Sequence, residues 1–196
     1  MKREEVALEF RRKVLHIFFG LFLALAILGG VPLLALLLAA VLFIIASALY
    51  RLGLLPFFGV FFDVFEREHE RRRVPGNAVI QGLFGAALAL WLFGVVPAAA
   101  GMLVLAVGDA VAVWGGLAFG HYTFPWNRQK HIEGRLLGVL LSAIALLLFY
   151  PFWKAVVAAT IALLIESIPL RLGPLKIDDN LTVPLAAALI LSLLPV

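Results

Sequence analysis

Residues 97–118 read PAAAGMLVLAVGDAVAVWGGLA: twenty-two residues, almost all apolar, with a single carboxylate, Asp109, set near the middle. About 20 largely apolar residues suffice for a helix to cross a bilayer. A soluble core helix of this length would carry a polar face, and this one carries none. Working outward, six further runs of similar character appear: Val14 to Gly30, Pro32 to Tyr50, Asn77 to Phe93, Leu136 to Tyr150, Ala155 to Leu170 and Leu181 to Val196. Gly29-Gly30-Val31-Pro32, Gly94 to Pro97 and Tyr150-Pro151 are short breaker clusters between them, which predicts tight helical hairpins. The segment Leu52 to Phe62 is apolar over only half a span, and is expected to lie in the interface or to re-enter. Phe57/Phe58, Phe61/Phe62 and Phe65 recur in it at helical spacing, as an anchor or as a guide for a hydrocarbon tail. The following run, Glu66 to Arg73, reads as its solvated, salt-bridged continuation.

Composition agrees with this reading. Of 196 residues, 64% are apolar and 14% charged, and mean hydropathy is +1.08, too little polar surface to clothe a soluble domain of this size. The fold expected is all-α: one polytopic integral membrane domain, residues 1–196, with about seven transmembrane helices and one interfacial or re-entrant helix. The first span runs on into a second, so it is read as a span and not as a cleaved signal. There are no cysteines, which excludes disulfides, thiolate metal sites and cysteine nucleophiles. The net charge of +4 suits an anionic membrane surface and phosphate-bearing ligands, and no nucleic-acid partner is expected.

Seven spans put the N-terminus and the loops 51–76, 119–135 and 171–180 on one side. Fifteen of the 16 Lys and Arg lie there, Lys154 alone being opposite, so that side is read as cytoplasmic. The chain is expected in the plasma membrane of a prokaryote or in an ER-type membrane. All 12 acids lie on the cytoplasmic side or in the helix halves leading to it, and the far side is nearly bare. A transporter needs polar groups from face to face, so the chemistry reads as one-sided.

The polar residues then divide into clusters. A carboxylate in a span costs roughly 2.5–3.5 kcal/mol on insertion scales, so Asp109 needs a partner or a ligand. Gly108, Ala112, Gly116 and Gly120 form a small-residue face beside it, open to a neighbouring helix or to a ligand. Arg128, Lys130, His131, Glu133, Gly134 and Arg135 precede the fifth span, where cations and helix N-terminal amides suit polyphosphate oxygens. Gly134, Gly138 and Ser142 make a second small-residue stripe; pairing within one subunit and a homodimer both remain open. Glu166, Asp178 and Asp179 with Asp109 are candidate ligands for a hard divalent cation, Mg²⁺. Asp179, Asn180 or Thr182 could instead cap the last helix, with Pro184 in its first turn. Glu9, Arg12/Lys13, His16 and Gly20 share one stripe of the first helix, so a polar ridge enters the membrane there.

No P-loop and no protein-kinase glycine loop is present. Glu9-Phe10-Arg11-Arg12-Lys13-Val14-Leu15-His16 with Gly20, Gly108-Asp109-Ala110 with Gly116 and Gly120, Lys130-His131-Ile132-Glu133-Gly134, and Glu166 with Asp178-Asp179-Asn180-Leu181-Thr182-Val183-Pro184 together resemble the CTP-dependent lipid kinases, the family of dolichol kinase, phytol kinase and yeast-type diacylglycerol kinase. The resemblance covers nearly the whole chain in order and spacing. It implies transfer of the γ-phosphate of CTP to a lipid alcohol, of isoprenoid type or diacylglycerol, with Mg²⁺. It further implies Asp109, Lys130 and Glu133 as catalytic residues: a metal ligand, a transition-state cation and a base. Arg12, Lys13, His16, Gly108, Arg128, Gly134, Arg135 and Asn180 would bind the nucleotide, and Asp109, Glu166, Asp178 and Asp179 the metal. Two departures stand out: His131 and Arg135 occupy positions where the family has Ser. A CTP-dependent cytidylyltransferase acting on a lipid phosphate, and a non-enzymatic flippase or transporter, are the alternatives.

Overall fold

The computed structural model describes residues 3–172 and 175–195, with the side chains of Arg3, Phe58, Asp63, His69, Glu70, Arg72, Arg171, Leu172, Leu175 and Lys176 outside the description. Helices dominate. In chain order they are α1 (Arg3–Leu28), α2 (Leu33–Arg51), α3 (Phe57–Phe65), α4 (Glu68–Arg73), α5 (Asn77–Phe93), α6 (Val95–Leu103), a π-helical turn (Val104–Asp109), α7 (Ala110–Phe119), α8 (Ile132–Leu146), α9 (Phe152–Ser167) and α10 (Asp179–Leu193). Two of these stretches, Leu33–Arg51 and the continuous Val95–Phe119, are long and apolar enough to cross a membrane; α5 and α10 are shorter apolar helices.

The breakers end helices by identifiable chemistry. At the end of α1, Gly30 takes a left-handed φ of 82°, which lets its N–H reach Ile27 O and the Val31 N–H reach Ala26 O, the paired bonds of a Schellman cap. Pro32 follows and cannot continue the helix. Lys154, the cation expected alone on the far side, is only 3% exposed: its Nζ donates to Leu194 O at 2.8 Å and lies 5.0 Å from the Tyr150 ring centroid. It satisfies a carbonyl at the end of α10, where the helix dipole favours a cation.

The Val95–Phe119 rod and α10 form the centre. α10 packs on α5, α6 and α9, while the rod packs on α1, α5, α8 and α10, and α2 joins from outside through α5. The buried residues are mostly small: Ala86, Ala98, Ala100, Ala106, Ala158 and Ala187 are fully or almost fully enclosed. Small side chains let backbones approach, so packing rests on close helix contact more than on large side chains. Pro184 in α10 is the clearest case. It has no N–H to give Asn180 O, and that freed oxygen lies over Gly85, where a Cβ would stand 2.6 Å from it. The outer faces carry the large residues instead: Phe18, Phe22, Leu25, Leu42, Trp91 and Leu148 are each more than about 60% exposed.

Several expectations are corrected. α8 begins at Ile132, ahead of the predicted Leu136, because Glu133 and the preceding strand anchor its first turn. The 119–135 loop holds an antiparallel hairpin not anticipated from the sequence, β1 (Thr123–Phe124) with β2 (Asn127–His131); a second hairpin pairs β3 (Arg171–Leu172) with β4 (Leu175–Lys176). The N-cap of α10 is Asp178, not one of the three residues proposed, so Pro184 lies beyond the first turn. The phenylalanines of α3 do not form one outward stripe. Phe62 is buried against the Tyr50 ring, with centroids 4.9 Å apart, while Phe57 is exposed; Phe58's side chain and the terminal Val196 lie outside the described residues.

Candidate functional site

Asp109 ends the π-helical turn, and its side chain is fully buried. The wider turn interrupts the regular ladder at this point, a local cost that recurs where a helix must present a side chain to a site. α1 crosses here. Lys13 Nζ forms an ion pair with Asp109 Oδ2, and His16 Nε2 lies 3.4 Å from the same oxygen and 3.2 Å from Leu105 O in the turn. Gly20, one turn further along α1, sits where a Cβ would press on Ala106, so its missing side chain sets how closely α1 meets the turn.

On the other side of Asp109 the last turn of α9 carries Glu166, whose side chain is also fully buried. Arg135 from the first turn of α8 grips it with a fork, Nη1 to Oε2 at 2.5 Å and Nη2 to Oε1 at 2.6 Å, and Lys130 from β2 pairs with the same carboxylate. Lys130 Nζ is also 3.9 Å from Asp179 Oδ2, at the start of α10. Asp109, Glu166 and Asp179 each offer an oxygen, all within 4.8 Å of one another. Asp109 Oδ1 is buried without a hydrogen-bond partner. The result is a compact patch of three carboxylates and three cations drawn from α1, the π turn, β2, α8, α9 and α10.

Other predicted residues serve the scaffold. Gly108 and Gly134 do not line this patch for a ligand: a Cβ on Gly108 would run into Ser142 and Leu163, and one on Gly134 into Ala112 O and the Gly116 backbone. The two small-residue stripes therefore pack on each other and bring α8 against α7. His131, the residue in place of a family Ser, lies over Gly116 and Gly120 with its Nδ1 buried and unpaired. Glu133 is turned away. Its Oε1 accepts the backbone N–H groups of His121 and Tyr122, each at 3.0 Å, and no ion pair or hydrogen bond joins it to the three carboxylates among the described residues.

Asp178 is likewise a cap and not a member of the carboxylate group: its Oδ1 accepts the Asn180 backbone N–H at 3.1 Å and pairs with the Asn180 amide as well. Burial, followed by the neighbouring Asp179 carboxylate, pushes the Asp178 carboxyl up to about 8. Asn180 is spent on Asp178 and Asp179, an internal tie across the first turn of α10. Arg12 pairs with Glu9 at 3.1 Å, and Arg67 meets the same carboxylate at 2.8 Å, which fastens α1 to the residues between α3 and α4. Arg128 is exposed on β2. The sequence reading did not single out Gln81, whose Oε1 accepts the Asp178 N–H at 2.8 Å and so fixes the entry to α10 from α5. A lone amide in an apolar run was the only signal for it.

Comparison of the chain with protein-family models, with curated proteins and with solved structures finds no match in any of the three.

Proposed function

We propose that this chain is a polytopic membrane enzyme, a CTP-dependent lipid kinase that moves the γ-phosphate of CTP onto the hydroxyl of a lipid alcohol, of isoprenoid type. One observation carries the reading: Lys13, Asp109, Lys130, Glu166 and Asp179, taken from the four motif segments that carry the family resemblance, meet in one buried patch although they are scattered along the chain. Phosphoryl transfer asks for this mixture, since positioning and charge neutralisation supply most of its catalysis. The donor set fits Mg²⁺: three carboxylates of hard oxygen, one with an unpaired buried oxygen. Asp109, Asp179 and Glu166 would hold the ion, which when bound neutralises charge on the β- and γ-phosphate oxygens. Lys13 and Lys130 are the cations for the remaining phosphate oxygens, with Lys130 near both Glu166 and Asp179, while Arg135 stays on Glu166.

The membrane part of the proposal is seven spans, α1, α2, α5, the Val95–Phe119 rod, α8, α9 and α10, with α3 in the interface and the site on the cytoplasmic face of a prokaryotic plasma membrane or an ER-type membrane. The large apolar residues on the outer helix faces support it, because water-soluble chains rarely expose such surface continuously. Helices of 15 to 17 residues reach only about 23–26 Å, so the bilayer thins or the helix ends snorkel to meet them.

A second reading has a specific observation in its favour. Arg135, held on Glu166 where the family has a hydroxyl, brings the cations of the patch to three, and that added positive charge suits an acceptor that is itself a lipid phosphate, as in a cytidylyltransferase. CTP labelled separately at the γ- and α-phosphorus, offered with Mg²⁺ and a panel of lipid alcohols and lipid phosphates to the purified protein, distinguishes the two. γ-Label entering a lipid alcohol is the expected outcome; α-label entering a lipid phosphate identifies the cytidylyltransferase, and no transfer by folded protein refutes both.

A further inference from the structure

Each carboxylate of the patch already has a cation of the protein at or near salt-bridge distance. Lys13 is on Asp109, Lys130 and Arg135 are on Glu166, and Lys130 lies 3.9 Å from Asp179. Three carboxylates are thus matched by three cations. The matching groups are enclosed: the side chains of Asp109 and Glu166 are fully buried, Arg135's is 6% exposed, and those of Lys13 and Lys130 are 14% and 21% exposed. A divalent ion approaching alone must take oxygens from Lys13 and Lys130, and it leaves both ammonium groups in a confined site where, among the described residues, neither lysine has an ion pair with an anion beyond these carboxylates. Breaking a buried pair by removing one partner is among the more costly electrostatic changes a protein can undergo. A polyphosphate approaching alone gives the cations new partners but leaves three carboxylates facing its negative charge at short range.

We propose that the site takes metal and polyphosphate only together, Lys13 and Lys130 passing from the carboxylates to phosphate oxygens as the divalent ion takes their place on Asp109, Glu166 and Asp179. This rests on the metal–polyphosphate reading given above and specifies its ligand: the metal–nucleotide complex, with the free ion and the free nucleotide both excluded. The unpaired Oδ1 of Asp109 is the one oxygen of the patch that needs no exchange, and so is the first contact open to the ion. Arg135 moves least, because its fork on Glu166 is the most enclosed of the pairs. The two lysines therefore act as internal stand-ins for the metal's charge, and their loss unlocks the carboxylates for a bare ion.

Mn²⁺ is a suitable probe, since carboxylate sites that take Mg²⁺ accept it; because CTP and tripolyphosphate chelate Mn²⁺ themselves, the metal retained with the protein is counted after ultrafiltration, against a protein-free solution of the same polyphosphate. The purified protein in detergent is titrated with Mn²⁺ alone, with Mn²⁺ in the presence of CTP, and with Mn²⁺ in the presence of inorganic tripolyphosphate. Expected for the unaltered chain is Mn²⁺ binding at least about tenfold tighter with either polyphosphate than without, the size of a substantial coupling between two ligands. Lys13→Met is expected to bind Mn²⁺ without polyphosphate at least about tenfold tighter than the unaltered chain, since one carboxylate is left without its cation. Lys130→Met, in which Arg135 still holds Glu166, is the second variant should the first fail to fold, and the same gain is expected of it. Equal Mn²⁺ affinity with and without polyphosphate in the unaltered chain overturns the inference and leaves the kinase reading standing. Unchanged Mn²⁺ affinity in both folded lysine variants overturns it as well. Absence of Mn²⁺ binding under all three conditions overturns the metal–polyphosphate reading, and the inference with it.

Discussion

Replacing Gly134 by alanine tests whether the site depends on the close approach of α7 and α8. The added methyl would meet Ala112 O, with Gly116 N at 2.6 Å and Gly116 Cα at 3.0 Å, all backbone atoms that cannot turn aside as a flexible side chain can. Inserting a methyl into a filled contact typically costs 1–3 kcal/mol, and a contact made by backbone belongs at the upper end, about 3 kcal/mol. Alanine returns about 1 kcal/mol through its better helix propensity, which leaves a net loss of about 2 kcal/mol. For a chain of this size that corresponds to a fall in Tm of about 4–8 °C. Thermal unfolding of the purified protein in detergent, followed by tryptophan fluorescence, measures it. The control is Gly59→Ala in α3, where the nearest atom to the new methyl is a Tyr50 ring carbon at 3.5 Å, an ordinary contact; there only the propensity gain of up to about 1 kcal/mol applies. If Gly134→Ala melts at or above the temperature of the unaltered chain, the contact is not limiting, and Gly134 returns to the list of residues that could meet a ligand directly.

Other perturbations separate the scaffold from the chemistry. Glu166→Gln leaves Arg135 and Lys130 facing a neutral amide in a buried site, and is expected to cost about 3–5 kcal/mol, a larger fall in Tm than that of Gly134→Ala in the same assay. Asp109→Asn is expected to lower the rate of label transfer from CTP by at least about a hundredfold, while Glu133→Gln, which keeps an oxygen for the two backbone N–H groups, stays within about tenfold of the unaltered rate; the opposite order would reinstate Glu133 as the base. Chelation of divalent ions is expected to abolish transfer, and added Mg²⁺ to restore it; transfer that persists in chelator removes the metal from the mechanism. Because the chain has no cysteine, single introduced cysteines report topology without background: an impermeant maleimide outside intact cells is expected to label Leu148→Cys, in the turn between α8 and α9, and to spare Arg128→Cys, and the reverse pattern would invert the orientation.

Most of the helical layout was legible because its signals are local. Asn77–Phe93 is bounded in the sequence as it is in the structure, since Gly76 and Gly94 stand at its ends and both take a left-handed φ. The start of α8 was misjudged because its first turn is polar, and hydropathy alone does not register a turn anchored by Glu133. The N-cap of α10 was missed for a related reason: Asp178, Asp179, Asn180 and Thr182 are all capable caps, and only the bond from Gln81 on α5 fixes which one is used.

The site divides along the same line. Residue type and position along the chain were enough to single out Lys13, Asp109, Lys130, Arg135, Glu166 and Asp179, because charges within or beside apolar spans are costly and so conspicuous. They could not say which of these touch. That Glu133 faces the hairpin while Arg135, two residues later on the same helix, grips Glu166 is a matter of helix rotation. A step of two residues turns about 200° around an α-helix, so the α7–α8 packing decides which of the two faces inward. Nor could they distinguish glycines that admit a ligand from glycines that admit a neighbouring helix, since both uses ask for the same missing side chain. Sequence by itself determined a helical, membrane-compatible chain with a cluster of charges to be explained. Only the tertiary structure decided that the charges pair as three carboxylates against three cations, because ion pairing at this range depends on distances between helices that no local pattern encodes.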